Sequence, residues 1–257
     1  MKIYDTHAHL DQLKDLDRSL QEAHEAGVAG IVAISMDLAS CKAGLQIKKK
    51  YSQPKIYLGM GMHPSEAKAA DLDGIVQMIQ DHHRELHAVG EIGLDFWYKW
   101  VRKDDEKKNE QRQVFRRLLA TAKALDLPAV IHSRGAWREC LSTATELGVT
   151  KAEFHWYSGP VDVLADILKA GYYVSTSPSV AYSPQSREAM TFAPIERTLI
   201  ETDCPVFYKF QEGEIGFEAR PKDVLRTLKA YCELKNMDQD KALTILNKNA
   251  VEFFKLN

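Results

Sequence analysis

No apolar run in this chain of 257 residues approaches the roughly 18 needed to span a bilayer, which argues against a membrane protein. The amino terminus lacks a basic region followed by an apolar stretch, so no secretory signal is expected. Cysteine is scarce. The four present (Cys41, Cys140, Cys204 and Cys232) are far apart, form no Cys-x-x-Cys, and are expected to be free thiols in a reducing, cytoplasmic setting. An excess of one charge is also missing: 34 Lys and Arg against 36 Asp and Glu leave a net charge of −2, so any binding of phosphate must be local. There is no internal repeat, low-complexity tract or linker. What remains is ordinary for a globular protein, with 45% hydrophobic and 27% charged residues. The length fits one large domain over residues 1–257, and an α/β barrel takes roughly 250 residues.

Short apolar runs alternate with longer helix-period stretches from the start. Strands are expected at 3–6, 30–34, 56–60, 88–92, 129–132, 153–155, 172–175 and 198–201. Helices are expected between them at 16–26, 38–50, 72–86, 106–125, 136–147, 160–170 and 185–192, then at 222–234 and 238–254. Eight alternations in one compact length point to a closed TIM (β/α)8 barrel rather than an open sheet. Right-handed crossovers then gather every strand's C-terminal end on one face, where barrel active sites lie.

The chemistry begins at Asp5-Thr6-His7-Ala8-His9-Leu10. Side chains of an extended segment repeat every two residues, so His7 and His9 share a face and can grip one divalent metal. Further candidates follow the later strands: Glu91 in Val89-Gly90-Glu91-Ile92, His132 in Val130-Ile131-His132, His155 in Phe154-His155, and Asp203 in Glu201-Thr202-Asp203. Four imidazoles and two carboxylates are more than one open metal site needs. They suit two ions about 3.5–4 Å apart. His7, His9 and Asp203 are assigned to one ion, His132 and His155 to the other, and Glu91 to both. Imidazole-rich shells favour Zn²⁺ or Mn²⁺, and Mg²⁺ prefers oxygen.

These motifs resemble those of the TatD family of metal-dependent deoxyribonucleases, within the amidohydrolase superfamily. The resemblance rests on the stretches above, together with Gly61-Met62-His63-Pro64, Gly90-Glu91-Ile92-Gly93-Leu94-Asp95, His132-Ser133-Arg134, His155-Trp156-Tyr157-Ser158-Gly159, Glu201-Thr202-Asp203-Cys204-Pro205 and Asn249. It implies a TIM barrel, Mg²⁺-supported hydrolysis of DNA phosphodiesters, and the same six metal ligands. Three departures lie where substrate would sit: Tyr157 where the family often has Phe, Arg220-Pro221 where it commonly has Asn-x-Pro, and the aromatic run Phe96-Trp97-Tyr98-Lys99-Trp100.

A phosphodiester needs an activated water, neutralised phosphate oxygens and a stabilised leaving group, and two divalent ions supply all three. Asp203 is expected beside the water as proton acceptor as well as ligand, with Glu91 between the ions. Arg134 offers a planar fork to phosphate or a surface salt bridge. His63 either hydrogen-bonds phosphate, protonates the leaving group or caps its loop. Glu201, two residues before Asp203, is expected to hold a ligand imidazole or Arg134. The Trp97–Trp100 aromatics stack on unpaired bases or pack the loop. His24, His82, His83 and His87 read as solvated helix surface. The expected substrate is DNA, single-stranded or at ends, or a small phosphoester, and the expected state is a monomer. The alternatives are a hydrolase of a lactone, amide or small phosphoester on the same barrel, and a non-catalytic binding barrel.

Overall fold

In the computed structural model, which describes residues 2–209 and 216–257, eight parallel strands follow one another in chain order around a barrel. They are β1 (Ile3–Ala8), β2 (Val28–Ile34), β3 (Lys55–Met60), β4 (Leu86–Asp95), β5 (Ala129–Arg134), β6 (Ala152–Phe154), β7 (Tyr173–Thr176) and β8 (Thr198–Ile200). Successive strands are joined through α1 (Leu16–Glu25), α2 (Leu38–Lys50), α3 (Ala69–His82), α4 (Asp105–Ala124), α5 (Trp137–Glu146), α6 (Val161–Lys169) and α7 (Pro184–Phe192). Two further helices, α8 (Val224–Lys235) and α9 (Gln239–Phe254), follow. The seam between β1 and β8 is thin. Ala8 pairs with Cys204 in a lone parallel bridge, the His9 N–H donates to the Cys204 carbonyl at 2.9 Å, and the Asp203 N–H donates to the His7 carbonyl at 2.9 Å. The TIM barrel read from the alternation of segments is the fold.

Local chemistry sets the helix starts. Asp15, Asp37, Asp104 and Asp238 each precede a helix and accept a hydrogen bond from the backbone N–H three residues on. The strands sort their side chains by parity. Val32, Tyr57, Ala88, Val130 and Leu199 form one apolar cluster with Phe253 and Phe254 of α9, and neighbours such as Ile31, Leu58, Val89, Ile131 and Ile200 belong to another. The first face is the barrel interior, because it also carries His132 two residues after Val130 and Glu201 two after Leu199. Apolar layers thus fill the interior below, and polar side chains crown it at the strands' C-terminal ends.

Two elements depart from expectation. β4 is ten residues long and carries His87, which the periodicity had placed on a helix. The helical pattern of α3 runs straight into the apolar Leu86, so sequence alone extends it too far. After β8 an antiparallel pair, β9 (Phe207–Tyr208) with β10 (Phe217–Glu218), forms a small hairpin whose two-residue strands are too short to show a period. The four cysteines are free and buried. Among the described residues, no helix is long and apolar enough to cross a membrane.

Candidate metal centre

The strand ends bring all six expected ligands together. His7 lies one residue before the end of β1 and His9 directly after it, with their Nε2 atoms 3.4 Å apart. Asp203 stands across the seam, its Oδ1 3.2 Å from His9 Nε2 and 3.6 Å from His7 Nε2. Glu91 lies at the centre. Its Oε2 is 3.4 Å from both His7 Nε2 and His9 Nε2, and its Oε1 is 2.8 Å from both His132 Nδ1 and His155 Nε2. Each oxygen of one carboxylate therefore faces a different group of imidazoles. Gly93 makes this approach possible: at φ +154°, an added Cβ would meet the His132 carbonyl oxygen at 1.9 Å. Only glycine lets β4 and β5 close up so near to Glu91. Asp203 (φ +49°) and Trp156, next to His155 (φ +40°), both hold left-handed backbone. Such strain costs about 1–3 kcal/mol per residue and collects at functional sites.

The imidazoles are oriented from behind. His9 Nδ1–H donates to the Ile34 carbonyl at 2.9 Å, His132 Nε2–H donates to Asp95 Oδ2 at 3.0 Å, and His155 Nδ1 lies 3.4 Å from Glu201 Oε1. Each arrangement leaves the other ring nitrogen facing the centre, as metal ligands require. Glu201 is itself held by the Ser175 hydroxyl at 2.6 Å. It therefore stands beside His155, and the residue that grips Arg134 is Asp95, whose Oδ2 accepts from Arg134 Nε at 2.8 Å.

His63 caps its loop and at the same time reaches into the site. Its Nε2 is 3.5 Å from Glu91 Oε1, and the Ser65 N–H donates to its Nδ1 at 3.0 Å. Because Nδ1 accepts, the neutral ring carries its proton on Nε2. His63 thus points a donor into the site, which removes it from the ligand set even though its nitrogen clusters with Glu91 and His132.

The charges match this arrangement. Burial alone would raise the Glu91 carboxyl, but His155, His63 and hydrogen bonds from His132 and His155 hold it well below the ordinary range. Asp203 is likewise lowered, against its burial, by His9 and His7. Burial opposes a charge on His9, yet the Asp203 and Glu91 carboxylates draw its pKa up to about 10. The same contest raises His132 through Asp95 and Glu91, and His155 through Glu91 and Glu201. His63, buried and surrounded by other imidazoles, drops to about 3. The carboxylates thus pull positive charge into a buried site.

Several buried atoms there find no hydrogen-bond partner among the described residues: His7 Nδ1, His155 Nδ1, Glu201 Oε1 and Asp203 Oδ1. Of these, Asp203 Oδ1 faces the centre, and a carboxylate oxygen left unsatisfied among converging imidazoles is what a divalent cation fits.

Sequence reasoning missed Asp95, which holds both His132 and Arg134. Its place in Gly93-Leu94-Asp95, directly before an aromatic run, gave no sign that it turns inward. It also missed Glu153, wholly buried on β6 with neither oxygen hydrogen-bonded among the described residues. Burial, and then Glu201, push the Glu153 carboxyl well above the usual range.

Comparison with known proteins agrees with this geometry. A family model for TatD-related DNases matches residues 4–255. An uncharacterized metal-dependent hydrolase of Methanocaldococcus jannaschii is 30% identical over 260 residues, covering 99% of this chain and 98% of that one. The human deoxyribonuclease TATDN3 is 28% identical, covering 98% and 94%. The crystal structure of YJJV, a TatD homolog from Escherichia coli, superposes with a TM-score of 0.88 at 25% identity, covering 99% of this chain and 98% of that one. With the barrel and a match over nearly the whole length in agreement, the chain belongs to the TatD-related DNase family of metal-dependent hydrolases.

Proposed function

We propose that this chain is a deoxyribonuclease that holds two divalent ions and removes nucleotides from the ends of single-stranded DNA. The observation that carries the reading is the Glu91 carboxylate, whose Oε2 faces His7 and His9 and whose Oε1 faces His132 and His155. A carboxylate so placed suits two cations side by side, with Asp203 completing the first group and Glu91 shared. The name of the human relative, a deoxyribonuclease, supports DNA as substrate.

Bound Mg²⁺, Mn²⁺ or Zn²⁺ at this position would supply water activation and neutralise the phosphate oxygens. The chain's own residues do the rest. Asp203, ionised at neutral pH, accepts the proton of the attacking water. His63 donates its Nε2–H to a non-bridging phosphate oxygen. A ring with a pKa of about 3 is neutral at pH 7, which favours this role over that of an acid for the leaving group. Arg134, pinned by Asp95 and with its side chain 41% exposed, turns its free edge to the next phosphate.

The test is hydrolysis of end-labelled single-stranded DNA by chelator-stripped protein, with Mg²⁺, Mn²⁺ or Zn²⁺ added back and Asp203→Asn run in parallel. Release of mononucleotides that depends on the ion and falls about 10²–10⁴-fold in Asp203→Asn is the expected result. Tight metal uptake with no cleavage under any ion would overturn it and favour a lactone or small phosphoester as substrate.

A further inference from the structure

The connection between β4 and α4 leaves the rim of the metal centre as Trp97-Tyr98-Lys99-Trp100-Val101-Arg102-Lys103. Two of its indoles face outward: Trp97 is 62% exposed and Trp100 46%. A cluster that only packed the loop would bury them. Instead the two indoles are held in place with much of their surface open, while Tyr98 is half-buried between Trp100 and Arg134. Tyr98 stacks on Trp100 with ring centroids 5.3 Å apart and planes inclined by 19°. Arg134 lies over Tyr98 at 4.8 Å and Lys107 over Trp100 at 5.5 Å. Trp97 sits edge-on to Trp137 and crosses Gly135, where an added Cβ would fall 2.4 Å from its Cδ1. The row starts at the reaction centre, because the Tyr98 ring is 6.5 Å from that of His63.

Charge accompanies the rings. Lys99, Arg102 and Lys103 are exposed cations beside the rings, followed directly by Asp104, Asp105 and Glu106 at the start of α4. Aromatic faces interleaved with cations are the combination that holds unpaired nucleic acid. Bases stack on the rings whatever their identity, and phosphates meet the charges. Bases inside a duplex have no free face to offer.

We infer that Trp97 and Trp100, the latter braced by Tyr98, form a stacking platform for the unpaired bases of a single strand whose end phosphate lies at the metal centre, with Lys99, Arg102 and Lys103 along its backbone. The inference rests on the deoxyribonuclease reading for the strand's end, and it adds the element that selects single strands.

The test compares anisotropy of a labelled dT octamer with that of an abasic octamer carrying the same phosphates. Both are titrated with Asp203→Asn protein, so that the strand is not consumed, and with the same protein bearing Trp97→Ala and Trp100→Ala. The platform predicts that dT binding weakens about tenfold or more and abasic binding stays the same. Trp97→Phe with Trp100→Phe should recover most of the dT affinity, which a misfolded loop could not do. Equal weakening on both octamers, or none on dT, overturns the platform. The two readings fail separately. If wild-type protein cuts no DNA under any ion but dT binding still depends on the indoles, the nuclease reading falls and the platform stands. If DNA is cut and the two octamers bind alike, the reverse holds.

Discussion

His87 shows what a strand does to an imidazole that a helix surface would not. On β4 it packs edge-on against Tyr57 with ring centroids 4.8 Å apart, and its Nδ1 has no partner among the described residues. Burial, with Lys48 and Lys55 nearby, lowers its pKa to about 4. The unfolded chain protonates this ring near pH 6.5, and the folded chain does so only near 4. Stability from the neutral ring is therefore complete above pH 6.5 and is lost as the pH falls toward 4. The shift is worth about 1–3 kcal/mol after allowance for the ring's partial exposure. Denaturant melts of wild type and His87→Phe at pH 7.5 and pH 4 should show the difference between the two proteins shrinking, or changing sign, by that amount. Parallel losses would sink the idea. The sequence announced the six side chains that gather at the centre because each follows an apolar run. It could not announce Asp95 or the orientation of His63, because each is set by a hydrogen bond that composition and spacing do not show: to His132 of the next strand for one, from the Ser65 N–H within its own turn for the other.

At the scale of elements, Asn249 is the clearest case of a motif residue with a structural office. It lies buried on α9, and its Nδ2 donates to the Ile195 carbonyl at 2.7 Å and the Thr198 carbonyl at 2.8 Å. Those bonds dock α9 onto the entrance of β8, the strand that leads to Glu201 and Asp203. Asn249→Leu leaves the Thr198 carbonyl without this donor and should destabilise the fold by about 1–3 kcal/mol. Denaturant melts would read that loss, and metal affinity of the folded fraction should stay near that of wild type. A collapse of metal affinity at full stability would instead place Asn249 in the site. Strands with an apolar run of four or more were legible, as were helices with an aspartate cap. The pairing of β9 with β10, Tyr208 with Phe217 and Phe207 with Glu218, was not, because two residues carry no alternation.

For the whole molecule, eight alternations were enough to give the barrel, since each parallel strand needs a crossover from the one before and eight strands so joined can close a ring. Where the ring is weakest could not be read. The seam between β1 and β8 rests on one bridge and a few hydrogen bonds, including Thr6 Oγ1 to the Ile200 carbonyl at 2.9 Å and the Asp5 carboxylate accepting from the Thr202 N–H at 2.9 Å. His7 and His9 stand on one side of that seam and Asp203 on the other. A cation shared by these three would therefore act as a clasp across the barrel's thinnest joint as well as a reagent. A ligand at 100 times its Kd stabilises the state that binds it by about 2.7 kcal/mol. In a domain of this size that raises Tm by roughly 5–10 °C. Chelator-stripped protein should show that deficit, and most of it should persist in Asp203→Asn supplied with metal. The location of the effect is the sharper test. Exchange of the His9 and Asp203 amides, which donate across the seam, should slow more on metal addition than that of amides in β2 or β3. A rise in Tm with uniform protection around the ring would leave the metal a stabiliser in general and deny it the role of clasp.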